Sequence, residues 1–134
     1  NARGLMQLIP QTAMHVSKGL KIRYSKNKLM SDPNYNMTLG QSYLGGLIQG
    51  YKGSYVLSLA AYNAGPKRVK RWLKAFGDPR ALDIDAIDWI EMIPFTETRN
   101  YVQRVLENLQ VYRLRLADHK IALGIMSDLH FYKP

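Results

Sequence analysis

The chain has 134 residues, no cysteine and a 46% hydrophobic fraction. That is enough for a buried core, and it excludes disulfides and thiolate metal sites. The histidines (His15, His119 and His130) are scattered without a paired ligand spacing, so neither a metal site nor a cofactor is expected. No apolar run is long enough to cross a bilayer, and a net charge of +9 favours a polyanionic partner: nucleic acid, an anionic membrane or an acidic cell-wall polymer. The sequence opens at Asn1 without Met or a signal peptide, as a processed or excised piece would.

Gly4 to Pro10 is short and apolar except for Gln7, whose amide is either satisfied by backbone groups or turned towards a cleft. Pro10 starts a helix that runs to about Lys18 and is closed by Gly19. Leu20 to Ser31, rich in Lys and Arg with little periodicity, reads as a surface loop. Asp32-Pro33 opens the next helix, from about Tyr35 to Tyr51, with Leu39, Tyr43, Leu44, Leu47 and Ile48 on one stripe. Lys52-Gly53-Ser54 breaks it, and Ser54 can cap a helix so apolar through Ala61 that it belongs in the core. That helix stops at Asn63-Ala64-Gly65-Pro66, where Gly65 can take a positive φ and Pro66 is pre-set for the first turn of the next helix. Tyr62 and Asn63 therefore lie at a bent helix–helix junction. They either satisfy hydrogen bonds at a helix end or form a supported binding site.

The following helix carries Lys67, Arg68, Lys70, Arg71 and Lys74 outward and Val69, Trp72, Leu73 and Phe76 inward. A solvated face is the commoner meaning of such a pattern. No helix-turn-helix, zinc finger or RNA-binding signature accompanies it, so nucleic acid ranks last among the partners. Gly77 to Arg80 is a turn. Asp85 can cap a short helix through Met92, with Ile87, Trp89, Ile90 and Ile93 as its apolar residues. Ile93-Pro94-Phe95 ends it, and Thr96 can cap a long helix from about Glu97 to Leu123, striped by Val102, Val105, Leu106, Leu109, Tyr112 and Leu116. Gly124 would terminate that helix, leaving residues 124–134 as a tail. With no alternating run and no repeat, the chain reads as all-α, with about six helices.

Few carboxylates suit acid–base chemistry. Asp32, Asp78, Asp83, Asp85 and Asp88 sit at turns or helix starts, where capping is the default role, and Glu107 falls opposite the apolar stripe. Glu91 is on a short helix of undetermined facing. Glu97 lies in the first turn of the long helix with Tyr101 on the same face, and the helix dipole there favours its charged form. That suits holding a substrate group or buttressing a neighbour better than giving up a proton; a plain helix-start charge is the alternative.

Four stretches occur in a recognisable order: Gly4-Leu5-Met6-Gln7, Asp32-Pro33-x-x-Asn36, Ala60-Ala61-Tyr62-Asn63-Ala64-Gly65-Pro66, and Ile93-Pro94-Phe95-x-Glu97-Thr98-Arg99-x-Tyr101-Val102. With them the chain resembles, from about Ala2 to Arg115, the catalytic domain of soluble lytic murein transglycosylases, a goose-type-lysozyme-like fold. The resemblance implies a transglycosylase domain over residues 1–123 that breaks the β-1,4 bond between N-acetylmuramic acid and N-acetylglucosamine of peptidoglycan. One Glu would protonate the leaving oxygen while the muramoyl N-acetyl group assists at the anomeric carbon. The same Glu would then take the proton of the sugar's 6-hydroxyl, closing a 1,6-anhydro ring, outside the usual two-carboxylate scheme. By position, Gln7, Ile9, Ala61, Tyr62, Asn63, Glu97 and Tyr101 match residues that line or support the glycan cleft, with Ile9 where a methionine often stands. The family's catalytic Glu belongs to a Glu-Ser motif upstream of Gly-Leu-Met-Gln, which here falls before Asn1. No catalytic residue is assigned in this chain, and weak glycan binding with hardly any turnover is expected. The resemblance further implies a periplasmic monomer acting on glycan strands, with no nucleic acid partner and no transmembrane segment. A non-catalytic peptidoglycan-binding module and a hydrolytic lysozyme are the alternatives.

Overall fold

The computed structural model describes residues 1–117 and 124–130. Among these residues there are eight helices and no strand; an isolated bridge pairs Arg3 with Leu8. The chain divides into two compact units, residues 1–46 and 47–134.

In the first unit α1 (Pro10–Gly19) begins where expected, with proline at its start, and buries Ala13 and Val16. Its end differs. Gly19 is still helical, and the left-handed turn falls on Lys21, at φ 57°. The expected loop from Leu20 to Ser31 contains α2 (Lys26–Ser31). Its cause is local: the Ser25 hydroxyl accepts the Lys28 N–H as an N-cap, and Leu29 is fully buried. One cap and one anchor are too little to leave a periodic pattern among so many charges. α3 (Pro33–Gly50) opens on Asp32, whose carboxylate accepts the Tyr35 N–H at 3.1 Å.

The second unit is built on α4 (Tyr55–Ala64), with Val56, Leu57, Ser58, Leu59, Ala60 and Ala61 all buried. Ser54 caps it as expected, accepting the Leu57 N–H at 3.3 Å. Gly65 breaks it at φ 93° and ψ 145°, a region closed to residues bearing a Cβ, and Pro66 starts α5 (Pro66–Phe76). α5 buries Val69 and Trp72 and turns its five cations to solvent. Asp85 caps α6 (Ala86–Glu91), accepting the N–H groups of Ile87 and Asp88. Trp89 and Ile90 of α6 are buried, whereas Ile87 is exposed.

α7 (Thr96–Leu116) packs along α4. Two expectations fail at its ends. Phe95, not Thr96, is the N-cap residue, and no side chain caps there; Thr96 is already helical, and its hydroxyl accepts the Arg99 guanidinium at 3.0 Å. The helix stops at Leu116 and does not run on to Leu123, with Ala117 already extended; residues 118–123 lie outside the described residues. The last turns bury little. Tyr112 is 61% exposed and Leu116 82%, so the expected stripe loses its partner surface before the helix ends. Gly124 is not the terminator of α7; its carbonyl accepts the Asp128 N–H at the start of α8 (Ile125–His130). α8 packs on α4, α6 and α7. The buried Asp128 carboxylate accepts the Gln110 amide and the Arg113 guanidinium, and the Gln110 carbonyl oxygen takes the Gly124 N–H at 2.9 Å.

Candidate functional site

The α4–α5 junction puts Tyr62 and Asn63 on the last turn of a helix that cannot move without disturbing the core. Two residues of α7 meet them there. The Tyr62 and Tyr101 rings lie parallel, 6.4 Å apart with 6° between their planes. The Thr98 hydroxyl, 2% exposed, donates to the Asn63 side-chain carbonyl at 2.8 Å. With its oxygen engaged, Asn63 keeps its NH₂ as the end available to a ligand. Burial pushes the Tyr101 phenol above its usual value, so its hydroxyl stays protonated across neutral pH and can donate. Ala61 is fully buried; it packs, and its carbonyl accepts the Gly65 N–H at 2.8 Å.

The start of α7 is held as firmly. Arg99 donates to the Ile93 carbonyl at 2.6 Å, closing the Ile93–Thr96 corner. Arg68 of α5 donates to the Ala64 carbonyl at 3.2 Å, and its guanidinium lies 4.8 Å from the centre of the Phe95 ring. The same ring meets Trp72 edge to face at 5.7 Å. Glu97 is exposed one turn before Tyr101, as its position required. Glu91 is also exposed and accepts the Gln103 amide at 2.6 Å; Glu107 is solvated. The one buried carboxylate among the described residues is Asp128, and it is already paired with Arg113.

Gln7 and Ile9 belong to the first unit. The Arg3–Leu8 bridge closes a tight turn in which Gln7 takes φ 48°, and its side-chain amide donates to the Gly4 carbonyl at 2.8 Å. Of the two readings open for Gln7, the nitrogen end takes the backbone one, while the residue as a whole remains exposed. Ile9, 44% exposed, follows as the N-cap residue of α1. The turn rests on Asn36, 1% exposed. Its side-chain oxygen accepts the Met6 N–H at 2.8 Å, and its NH₂ donates to the carbonyls of Arg3 and Leu29, each at 3.0 Å. Gly4, at φ 69°, has no room for a Cβ against that amide, and Gly40 has none against Met6.

Asn36 and Thr98 carry these sites, and neither is singled out by reasoning along the sequence. Both stand inside the stretches quoted above, and each is a small polar residue one helical turn from apolar ones, which is the signal that marks them.

The aromatic and amide cluster at this pinned junction does not by itself name a substrate, and comparison with known proteins gives the family. The sequence profile of the "Transglycosylase SLT domain" matches residues 1–83, and that of the "Soluble lytic transglycosylase helical domain" matches residues 92–120. The chain belongs to the transglycosylase SLT domain family. It is 43% identical over 118 residues to the soluble lytic murein transglycosylase of Escherichia coli, covering 87% of this chain and 18% of that protein. The crystal structure of the 70-kDa soluble lytic transglycosylase from E. coli superposes with a TM-score of 0.75 at 42% identity, over 86% of this chain and 18% of that one. A complex of the 70-kDa soluble lytic transglycosylase with bulgecin A gives 0.78 at 38% identity, over 92% and 20%. The all-α, lysozyme-like architecture implied by the motifs is that of these structures. The chain spans only 18–20% of the length of these relatives.

Proposed function

We propose that this chain is the glycan-cleaving domain of a peptidoglycan lytic transglycosylase. It would act on the β-1,4 bond between N-acetylmuramic acid and N-acetylglucosamine, releasing 1,6-anhydro-N-acetylmuramic acid in the bacterial periplasm as a monomer. The observation that carries this reading is the pinned cluster at the α4–α5 junction: Tyr62 stacked on Tyr101, and Asn63 oriented by Thr98. In a chain of this family, such a cluster offers a flat aromatic edge, a phenolic donor and an amide donor to a sugar ring. Glu97, at the start of α7, would accept from a sugar hydroxyl, and Gln7 and Ile9 of the first unit are assigned to glycan contact by their match to the family's motif alone. Ala61 supports the cluster through its packing. Because α8 packs on α4, α6 and α7, the domain would run past residue 123 to include that helix, and not leave it as a tail.

Among the described residues no carboxylate suits the part of proton donor for the leaving oxygen. A general acid of this type is a carboxyl kept protonated in an apolar setting. Among the described residues, Glu91, Glu97 and Glu107 are exposed, and Asp128 is ion-paired. A Glu in a Glu-Ser motif preceding Gly4 would fill the role. This feature also keeps a second reading in view, a peptidoglycan-binding module without catalysis.

The test compares the 134-residue chain with an N-terminally extended form on purified peptidoglycan, with products read by mass spectrometry. Release of 1,6-anhydro-muropeptides by the extended form alone is the expected result. Full activity in the shorter chain would place the acid among its own residues, and binding without products from both forms would favour the module.

A further inference from the structure

The exposed face of α5 is charged beyond what keeping a helix in water requires. At about 100° per residue, Lys67, Lys70, Arg71 and Lys74 fall within an arc of about 100° and extend for about 10 Å along the axis. All four are exposed, α5 carries no acidic residue, and no ion pair to them occurs among the described residues. The arrangement opposes the helix itself. Lys67–Arg71 and Lys70–Lys74 are like charges at i, i+4, which repel. Lys67 and Arg68 stand in the first turn, where the helix dipole disfavours cations; only Lys74 lies in the last turn. A face shaped only for solubility mixes signs and places acids first. This one is built as an unpaired cationic stripe.

Its position is equally particular. α5 starts three residues after Asn63, across the Gly65 break. Arg68 ties that start to the Ala64 carbonyl and to the Phe95 ring at the head of α7. The stripe is therefore fixed rigidly to the junction that carries Tyr62 and Asn63, within reach of a polymer bound there.

Resting on the glycan reading above, we propose that the α5 stripe is a docking surface for the carboxylates of the peptide stems on peptidoglycan. The glycan alone is neutral between its stems, so a cluster that reads only sugar has no use for four unpaired cations beside it. Peptide stems end in free carboxylates, several to each repeat, which matches the sign and the multiplicity of the stripe. Exposed pairs of this kind are individually weak and act together.

The test is co-sedimentation of the chain with intact sacculi and with sacculi stripped of stem charge, their carboxylates converted to neutral amides with a carbodiimide and ammonia, across a salt series. It is run for the natural chain and for a variant combining Lys67→Ser, Lys70→Ser, Arg71→Ser and Lys74→Ser, with circular dichroism to check the fold. Arg68 is left in place because it pins the junction. The expected result is a preference of about tenfold for intact over stripped sacculi, fading with salt and absent in the variant. Binding to stripped sacculi is then the same in both chains. A variant that keeps the preference overturns the proposal while leaving the glycan reading standing. Failure of the natural chain to bind stripped sacculi overturns the glycan reading, and intact sacculi then judge the stripe alone. Tighter, stripe-dependent binding to phosphatidylglycerol vesicles or to duplex DNA than to intact sacculi also overturns it, assigning the stripe to a membrane or to nucleic acid. Should the combined variant misfold, the pair Lys70→Ser and Arg71→Ser is used, with a proportionate loss expected.

Discussion

Replacing Asn36 by Ala should cost about 3–5 kcal/mol, a large fraction of the roughly 5–15 kcal/mol that holds a domain of this size together. The side chain makes three hydrogen bonds at 1% exposure: one accepted from Met6 N–H and two donated to the Arg3 and Leu29 carbonyls. Ala removes all of them and takes the amide away from the Met6 N–H and the Leu29 carbonyl, while the Arg3 carbonyl keeps the Leu8 N–H, at about 1–3 kcal/mol for each group that water cannot reach. Asn36→Asp sharpens the argument. It keeps an acceptor for Met6 but turns a second carboxylate oxygen towards two carbonyl oxygens, so at neutral pH it should be more damaging than Ala. At low pH the protonated acid regains one donor, and the gap to the natural chain should narrow. Urea unfolding followed by circular dichroism measures the loss, and exchange of the Met6 amide reports the turn directly. A loss below about 1 kcal/mol for Ala, or Asp milder than Ala at neutral pH, would refute the role given to this amide.

Gly65→Ala should destabilise by about 1–3 kcal/mol through backbone strain alone, because an added Cβ there has nothing within 4 Å while φ is +93°. Chemical denaturation tests it, and an unchanged midpoint would mean that the junction relaxes. Thr98→Val should cost about 1–2 kcal/mol by leaving the Asn63 oxygen without its donor, whereas Thr98→Ser should recover most of it. Equal losses for Val and Ser would point to the methyl group instead. Hydrogen bonds from Arg80 hold the Asp78 carboxyl below its ordinary value of 3.8, despite a partial opposing effect of burial. A lowered folded-state value means the contribution is fully present above about pH 4 and disappears as the pH falls through that lowered value. The stability difference between the natural chain and Asp78→Asn should therefore be constant from pH 5 to 7 and shrink only in stronger acid; a difference that grows on acidification would contradict the assignment.

The elements legible in the sequence are those whose causes are local. Ser54, Gly65-Pro66 and Asp85 act on residues within three or four positions, so their signals are complete in a short window. α2 escaped notice because its cause is one serine cap and one buried leucine. At Thr96 a capping hydroxyl and a first-turn hydroxyl differ by one position, and Arg99 decides between them. The long helix was overextended because Tyr112 and Leu116 continue the right spacing with nothing to cover them. At the site, Tyr62, Asn63 and Tyr101 could be named from the motifs and the bent junction. The partnership of Asn63 with Thr98 could not, since it spans 35 positions and exists only once α4 lies against α7. Asn36, likewise, shows its use only when the turn it carries has folded over it.

The clasp around Asp128 has a consequence for the timing of synthesis. α4, the buried centre of the second unit, packs against α8, whose residues are translated after the other described helices of that unit. A ribosome holds back the most recently added stretch of chain, so while Leu129 and Asp128 are inside the exit tunnel the Gln110 amide and the Arg113 guanidinium face solvent. The first unit can settle on its own nascent residues, whereas the second must wait. Translation that stalls before residue 125 would thus present the second unit with its central helix uncovered on one side, in the form that chaperones and proteases are made to notice.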